Sequence, residues 1–398
     1  MASDQNKSCL TQLLEYFLEI HDHLDESDPV DAIYLDCAKA FDTVPHRRLL
    51  VKLKAYGITG KLLSWIKGFL SGRTQRVSVK GVLSEALRVW SGVPQGSVLG
   101  PILFLIYIND MLTGISSSGK LFADDSKLFR EIRSIADRIA LQEDLTKLQE
   151  WSQKWLLKFN EEKCKVMHIG RSNPHYDYQI NNKTLEETTE EKDLGIFVTP
   201  DWKSAAHVAK VAAKANSMVG RINRAFNYMD VDMFKAIYPS MIRSHMEYAA
   251  PAWSPHLKKD INLLEQVQRR ATRLVQGLSN STYEHRKSVL GLTSLEDRRI
   301  RGDLIEVYKI MHGFEKVQRA KFFILESEIH DYPIRGNELR IWPPDTKTRR
   351  RRKFFDLRII KEWNDLPGKV AKSESISCFK TGLDRHINST RGGTFARA

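Results

Sequence analysis

The chain has 398 residues, and its 62 Lys and Arg against 49 Asp and Glu give it a net charge of +13. This length suits about two to four modules rather than one small core. Its 4 cysteines lie too far apart for a disulfide scaffold or a paired-cysteine zinc site. The sequence contains neither an apolar run of about 18 residues, which excludes a membrane-spanning helix, nor the apolar segment of a secretory signal. We therefore expect a basic, intracellular protein of several modules.

Hydrophobic periodicity divides the first 200 residues into alternating helices and strands. The predicted helices cover residues 9–24, 45–57, 61–70, 98–111 and 135–155. The predicted strands cover residues 32–35, 76–79, 87–90, 166–169, 178–180 and 194–198, and residues 120–129 form a strand–turn–strand. This order predicts an α+β fold, in which a split βαβ antiparallel sheet carries helices on one side.

The second half of the chain is helical by period and strongly basic. Helices are predicted over residues 204–226, 231–248, 258–278 and 295–313, and the pattern weakens past residue 320. Residues 1–200 carry a net charge of −2, whereas residues 201–398 carry +15. Such asymmetry indicates one part that uses carboxylates and another that grips a polyanion. Ordinary solvated helix faces are the alternative interpretation.

Three acidic residues stand where strands end. Asp36 follows the strand 32–35, and Asp124 and Asp125 form the tip of the hairpin 120–129. A split βαβ sheet brings these elements side by side, so three carboxylates meet at one edge and repel each other. A divalent ion relieves that repulsion, and hard oxygen ligands suit Mg²⁺. A single Asp at such a position is more often a turn residue or a cap, but the three together predict a metal site.

Five segments resemble, in order, the catalytic motifs of non-LTR retrotransposon reverse transcriptases. They are residues 34–46 (YLDCAKAFDTVPH), 91–101 (SGVPQGSVLGP), 122–125 (FADD), 160–164 (NEEKC) and 193–195 (DLG). Further segments resemble the helical region that follows the polymerase core in the chicken-repeat/jockey-like branch. These are residues 247–248, 253–256, 264–270, 303–309 and 363–367. The resemblance covers roughly residues 7–387.

The resemblance implies a polymerase architecture for the α+β fold. Residues 1–30 would be a remnant of the fingers, and residues 31–200 the palm with partial fingers. Residues 201–290 would be a helical thumb, and residues 291–398 a basic C-terminal domain. We also expect the chain to be truncated at its N-terminus, because the upstream finger strands and the endonuclease of the family are absent from it.

The resemblance also assigns roles to the acidic residues. Asp36 and Asp124 would be the principal ligands of two Mg²⁺ (or Mn²⁺) ions, with Asp125 as an auxiliary acid. Asp42 has two interpretations, an additional acid of the site or a helix N-cap. Lys163 matches a lysine that neutralises or protonates the leaving pyrophosphate, although by itself it would be an ordinary surface residue.

Other positions match the family's contacts to the substrates. Phe41 would lie under the incoming sugar and exclude a ribose 2′-OH, or it is a core aromatic. Gln95 and Gly96 would bind the nascent base pair. Leu194 and Gly195 would form the primer grip. Lysine and arginine side chains after residue 204 would hold nucleic-acid phosphates; the candidates are Arg269, Arg270, Arg349, Arg350, Arg351, Arg352 and Lys353. The run 349–353 is alternatively a nuclear localisation signal.

These observations predict an RNA-directed DNA polymerase that adds deoxynucleotides to a DNA primer on an RNA template. It would act in the nucleus and cytoplasm as a ribonucleoprotein, without a membrane partner. A catalytically inactive or domesticated nucleic-acid-binding remnant is the alternative. An RNA-processing protein like an intron maturase shares the palm, but residues 363–367 favour the retrotransposon branch.

Overall fold

The computed structural model describes residues 8–329 and 338–391 of the chain. These residues form two compact units. The first, unit 1, contains residues 28–189, and the second, unit 2, contains residues 8–27 together with the described residues from 190 onward. The predicted mixture of helices and strands is confirmed. Among the described helices, none is both long enough and apolar enough to cross a bilayer.

A five-stranded sheet forms the centre of unit 1. Its strands are β1 (Val30–Leu35), β2 (Ser118–Phe122), β3 (Asp125–Glu131), β4 (Lys165–Ile169) and β5 (Glu186–Glu187). They lie in the order β5-β4-β1-β3-β2, and every pair is antiparallel except β4 with β5. All six residues of β1 are buried, which explains why its sequence is a nearly continuous apolar run rather than an alternating one.

Asp31 is the polar exception on β1, and its side chain is fully buried. Its carboxylate accepts hydrogen bonds from the Tyr178 hydroxyl at 2.6 Å and Asn173 Nδ2 at 2.8 Å, and it pairs with His168 Nδ1 at 2.7 Å. Three partners offset the cost of removing this carboxylate from water. The network joins β1 to β4 and to the chain that follows β4.

The main helices of unit 1 are α2 (His46–Ala55), α3 (Gly60–Leu70), α4 (Leu99–Ile108) and α5 (Ile135–Trp155). Together they cover the sheet face that carries Ile33, Leu35, Leu128 and Val166. The bounds of α5 agree with the predicted helix. It begins where the Ser134 side chain accepts from the Asp137 backbone N–H, and it ends at Leu156, whose φ is +55°.

The short elements of unit 1 depart most from the sequence predictions. A one-turn helix covers Ala40–Thr43, and three two-residue ladders pair Thr74–Gln75 with Leu87–Arg88, Ser78–Val79 with Val82–Leu83, and Gln179–Ile180 with Lys183–Thr184. The predicted hairpin does turn at Gly81 (φ +85°), but its strands over 76–79 and 87–90 are each reduced to two paired residues. Every residue of those two ladders is exposed, so no apolar face extends the pairing.

Unit 2 is mainly helical. Its longer elements are α1 (Cys9–Asp25), the hairpin of β6 (Glu191–Asp193) and β7 (Ile196–Val198), α6 (Ala205–Ala225), α7 (Val231–Ile237), α8 (Lys258–Ala271), α9 (Tyr283–Leu290), α10 (Leu295–Met311) and α11 (Ile376–Arg391). Its shorter helices are Tyr238–Arg243 (π), Ser244–Glu247, Ala250–Trp253, Thr272–Leu274 (3₁₀), Arg319–Phe322, Glu326–Ile329, Arg351–Lys353 (3₁₀), Phe355–Arg358, Ile360–Asn364 and Gly368–Ala371.

Two predicted helices of unit 2 differ in the structure. The predicted helix 231–248 changes to π-helical pairing over Tyr238–Arg243, where Pro239 lacks the backbone N–H that regular pairing needs. The predicted helix 258–278 ends its α-helical part at Ala271 and closes with a 3₁₀ turn. The weak signals past residue 320 correspond to a series of one-turn helices followed by α11.

Helix α1 belongs to unit 2, although the sequence interpretation grouped residues 1–30 with the fingers. The Asp25 carboxylate at its C-terminus accepts from the backbone N–H of Lys347 at 3.0 Å and of Thr348 at 2.7 Å. Burial acts to raise the pKa of Asp25, but the hydrogen bonds from Thr348 and Lys347 hold it below its ordinary value. These hydrogen bonds attach the C-terminal end of α1 to residues 347–348, which directly precede the basic run 349–353.

Candidate active site

The pairing of β1 with β3 brings the three predicted acids to one end of the sheet. Leu35, the last residue of β1, pairs with Ser126. The next residues outward are therefore Asp36, which follows β1, and Asp125, which begins β3. Asp124 lies in the two-residue turn that joins β2 to β3, where Phe122 pairs with Asp125 and Ala123 has a φ of +51°. The structure thus places Asp36, Asp124 and Asp125 together, as predicted.

The three acids are open to solvent, whereas the thiol of Cys37, the residue after Asp36, is buried. Asp124 and Asp125 are exposed, and Asp36 is partly exposed. Cys37 is buried, and burial together with the negative charges of Cys164, Asp36 and Asp124 raises the pKa of its thiol to about 12. The thiol stays neutral at physiological pH and adds no charge to the site.

Backbone hydrogen bonds join the turn over residues 160–164, and the residues just before it, to Asp36 and Ala38. The Asn160 N–H donates to the Asp36 carbonyl at 2.8 Å, and the Ala38 N–H donates to the Lys158 carbonyl at 2.8 Å. The turn itself closes through the N–H groups of Lys163 and Cys164, which both donate to the Asn160 carbonyl at 3.0 Å. This brings Lys163 Nζ to 3.9 Å from Asp36 Oδ2. The predicted lysine thus stands next to the predicted metal ligand.

The glycine-containing segment 91–101 is joined to the residues that follow Asp36. The Gly92 N–H donates to the Val44 carbonyl at 2.8 Å, and the Val93 N–H donates to the Phe41 carbonyl at 2.7 Å. Gly92 has a φ of +89°, and a Cβ there would lie 2.7 Å from the Asp42 carbonyl oxygen. Glycine is therefore required at position 92 by both backbone conformation and space.

The structure decides one alternative at Asp42 and leaves the other open. Lys39, not Asp42, is the N-cap residue of the helix Ala40–Thr43, so the capping interpretation of Asp42 is wrong. Instead, Asp42 Oδ1 accepts a hydrogen bond from Gln95 Nε2 at 3.1 Å. This contact positions the side chain of Gln95, while Gly96 (φ +81°) is exposed with nothing within 4 Å of where a Cβ would be.

Phe41 is only partly buried and stacks on Phe104 with ring centroids 4.4 Å apart. One face of its ring therefore contacts the core. This arrangement is compatible with both of its interpretations, as a core aromatic and as a side chain beneath a substrate sugar.

Leu194 and Gly195 form the turn between β6 and β7 in unit 2. Their φ values are +44° and +90°, and Asp193 pairs with Ile196 across the turn. The Tyr248 hydroxyl donates to the Leu194 carbonyl at 3.0 Å, and a Cβ on Gly195 would lie 3.0 Å from Tyr248 Cε1. The Leu194 side chain is buried, so only the backbone of this turn is available to a ligand.

The comparisons with known proteins agree with this geometry. Residues 3–207 match the family model described as "Reverse transcriptase (RNA-dependent DNA polymerase)". The chain belongs to the reverse transcriptase family. The sequence interpretation as a non-LTR retrotransposon reverse transcriptase is thereby confirmed, since the relatives described next come from such elements.

Similar proteins are the "RNA-directed DNA polymerase from mobile element jockey" of Drosophila funebris and of Drosophila melanogaster. They are each 29% identical and match 64% and 61% of this chain, respectively, but only 29% and 28% of their own length. A Drosophila melanogaster protein named "Probable RNA-directed DNA polymerase from transposon X-element" is 25% identical over 64% of this chain and 29% of its own length. This member of the family thus spans about three tenths of the length of these relatives. A solved telomerase from Candida tropicalis has a TM-score of 0.41 and 11% identity over 97% of this chain and 51% of its own.

One predicted nucleic-acid-binding residue of this reverse transcriptase has a different role. Arg351 is 6% exposed, and its guanidinium forms two 2.6 Å hydrogen bonds to the Asp356 carboxylate and one of 2.7 Å to Asp22. Burial raises the pKa of Asp356, and the Arg351 charge opposes that rise. Arg351 is therefore a structural residue that links α1 to the basic run. Its position in a row of four arginines gave no sign of this.

The other basic candidates remain on the surface. Arg269, Arg270, Arg349, Arg352 and Lys353 are exposed, and Arg350 is partly exposed. Two residues near the acids were missed by sequence reasoning: Ser91 Oγ donates to the Asp42 carbonyl at 2.8 Å, and His46 Nε2 lies 2.8 Å from the Gly92 carbonyl oxygen. Both lie within recognised motifs, but only the three-dimensional pairing of the motifs shows what they contact.

We predict that Arg351→Ala lowers the free energy of unfolding by about 3 kcal/mol, because it leaves the buried Asp356 carboxylate without its partner. The matched variant Arg352→Ala removes the same side chain from an exposed neighbour and changes the stability by less than about 0.5 kcal/mol. Urea unfolding followed by circular dichroism measures both. Equal effects of the two variants would contradict the structural role of Arg351.

Proposed function

We propose that this chain is an RNA-directed DNA polymerase that adds deoxynucleotides to the 3′-OH of a DNA primer on an RNA template. The observation that carries the proposal is the meeting of Asp36 with Asp124 and Asp125 at one sheet end, with Lys163 Nζ 3.9 Å from Asp36. The family of the chain and the names of its jockey relatives support the same reaction.

The donor set fits hard divalent cations. The three acids lie at one end of the sheet, two of them exposed and the third partly exposed, so they are open to ions that keep water and phosphate ligands. Among the described residues, Asp36 forms a salt bridge with Lys163, whereas Asp124 forms no salt bridge. We therefore propose that Asp36 and Asp124 hold two Mg²⁺ (or Mn²⁺) ions, with Asp125 as the auxiliary acid. When bound, the ions would activate the primer hydroxyl and stabilise the leaving oxygen.

The protein's own side chains would position the substrates. In this proposal the Lys163 ammonium group donates a proton or a hydrogen bond to the departing pyrophosphate. Gln95, oriented by its hydrogen bond to Asp42, and the exposed backbone at Gly96 would contact the nascent base pair. The Phe41 ring, supported from behind by Phe104, would occupy the space that a ribose 2′-OH needs.

The proposal extends to the modules and partners. Residues 31–200 would act as the palm with partial fingers, residues 201–290 as the thumb, and residues 291–398 as a basic domain. RNA template, DNA primer and deoxynucleoside triphosphates would be the partners, in a ribonucleoprotein of the nucleus and cytoplasm. The turn at Leu194 and Gly195 would hold the primer end through its backbone. Arg269 and Arg270 would contact phosphates without reading sequence.

We expect the purified protein to extend oligo(dT) on poly(rA) with dTTP and Mg²⁺. Asp36→Asn and Asp124→Asn should each lower the extension rate by roughly a thousandfold or more, since each removes a metal-ligand charge while keeping the shape of the side chain. Primer extension on denaturing gels measures the rate.

Glu143→Gln, which neutralises an exposed acid of α5, is the matched control and should leave extension unchanged. Absence of extension by the wild-type protein, together with salt-sensitive RNA binding that Asp124→Asn does not alter, would contradict the polymerase proposal. It would instead favour an inactive nucleic-acid-binding remnant.

We further predict that Phe41→Val raises the ratio of UTP to dTTP incorporation on poly(rA) by about tenfold, because the smaller side chain leaves space for the 2′-OH. Phe69→Val is the control, since Phe69 is also a partly buried aromatic at the edge of the same core. The ratio of kcat/KM for the two nucleotides decides between the interpretations. An unchanged ratio in Phe41→Val would make Phe41 a core aromatic only.

A further inference from the structure

A cavity of about 450 Å³ lies within unit 2, and none of the acids proposed to hold metal ions lines it. Its walls come from α1, from β7 and the chain between β7 and α6, from the helix Ala250–Trp253 with the residues after it, and from residues 349–358. No stretch of sequence identifies this cavity, because its walls come from positions as far apart as Phe17 and Arg358. We call it the aromatic cavity.

Five of the residues that line it are phenylalanine or tryptophan. Phe17 and Trp202 pack edge to face with centroids 5.0 Å apart, and Phe354 stacks on His21 at 4.6 Å. Trp253 adds a further ring to the lining. Flat aromatic walls of this kind favour a flat, polarisable ligand that can stack on them.

Two buried polar atoms in the lining have no hydrogen-bond partner in the described part of the chain. They are Trp202 Nε1 and His21 Nδ1, on side chains that are 7% and 9% exposed. Burial, with the nearby charges of Arg351, Arg350 and Arg358, lowers the pKa of His21 to about 3, so its ring is neutral. An indole N–H can only donate, and a neutral imidazole offers one donor and one acceptor. Buried groups of this kind normally have a hydrogen-bond partner, so these two side chains are exceptions in the packing around the cavity.

Cations stand in the same lining. Arg349, Arg350 and Lys353 all line the cavity, and none of them is paired with a carboxylate among the described residues. Arg358 also lines the cavity, but its guanidinium donates two hydrogen bonds of 3.0 Å to the Asp303 carboxylate. The three cations without a carboxylate partner therefore favour a ligand that carries an anionic group next to its flat ring. Guanidinium groups bind phosphate well.

We propose that the aromatic cavity binds one unstacked nucleotide of a single-stranded nucleic acid. The base would stack among Trp202, Trp253 and Phe354. The phosphates on either side would contact Arg349, Arg350 and Lys353. This binding site lies wholly within unit 2 and requires none of the three acids of unit 1, so it does not depend on the proposed polymerase activity.

The first test asks whether binding depends on bases. Fluorescence anisotropy, without divalent ions or deoxynucleotides, measures the affinity of the full chain for three labelled 12-mers: single-stranded RNA, single-stranded DNA, and an abasic strand with the same phosphates. We expect at least one of the base-containing strands to bind about tenfold more tightly than the abasic strand. Whichever of the RNA and DNA strands binds more tightly identifies the natural source of the nucleotide.

A substitution that fills the cavity should remove this difference. Ser204 lines the cavity, and its side chain makes no capping hydrogen bond at the start of α6. Ser204→Trp therefore adds bulk without removing a bond. We expect Ser204→Trp to bind the base-containing strands as weakly as the abasic strand, and the abasic strand as the wild type does.

Charge variants test the phosphate contact. Arg350→Ala should weaken the binding of all three strands and reduce the slope of log affinity against log salt by about 0.7. Arg133→Ala is the control, because the exposed Arg133 belongs to unit 1, lies outside the cavity lining and is paired with Asp28. We expect Arg133→Ala to leave the slope unchanged.

A crosslinking experiment on the wild-type protein needs no substitution. A 12-mer that contains 4-thiouridine, irradiated at long wavelength and mapped by mass spectrometry, should join to peptides that contain Trp202, Trp253 or Phe354. Crosslinks confined to other peptides would overturn the proposal. So would a folded Ser204→Trp protein that still distinguishes base-containing from abasic strands, or equal affinity of the wild type for the base-containing and abasic strands.

Discussion

The register between β1 and β3 determines where every acid of the site lies. Because Leu35 pairs with Ser126, Asp36 leaves β1 opposite the residue that begins β3, and the tight turn before β3 presents Asp124. A slip of one residue would turn all of these side chains to the other face of the sheet. The register is fixed by burial, since β1 is buried along its whole length and Asp31 within it has three specific partners. Core packing thus brings together three charges that would otherwise repel.

Backbone hydrogen bonds then attach the remaining motifs to the segment after Asp36. The turn 160–164 binds the Asp36 carbonyl, and the segment around Gly92 binds the carbonyls of Phe41 and Val44. Main-chain bonds constrain position more tightly than exposed side-chain pairs do, and they would place Lys163 and Gln95 before any substrate arrives. The same segment explains why glycine is needed at position 92, where the Asp42 backbone leaves no space for a side chain.

Sequence patterns predicted the elements with strong hydrophobic periodicity and the motifs that the fold brings together. The helix α5 and the grouping of the three acids followed from spacing and resemblance alone. The patterns failed where long-range contacts decide. Arg351 looks like its neighbours in the basic run, yet Asp356 and Asp22 bury it. Helix α1 precedes β1 in sequence but packs in unit 2, and the aromatic cavity combines residues more than 300 positions apart. Neither of these arrangements leaves a local signal.

We propose that Asp36, Asp124 and Asp125 together hold divalent ions, and Fe²⁺-directed cleavage can locate those ions. Fe²⁺ in place of Mg²⁺, with ascorbate and peroxide, generates hydroxyl radicals that cut the backbone next to the bound metal, and mass spectrometry locates the cuts. We expect cuts beside residues 36 and 124–125 that excess Mg²⁺ suppresses and that Asp36→Asn and Asp124→Asn abolish. Cuts elsewhere only, or cuts at these positions that neither Mg²⁺ nor the substitutions affect, would contradict this proposal.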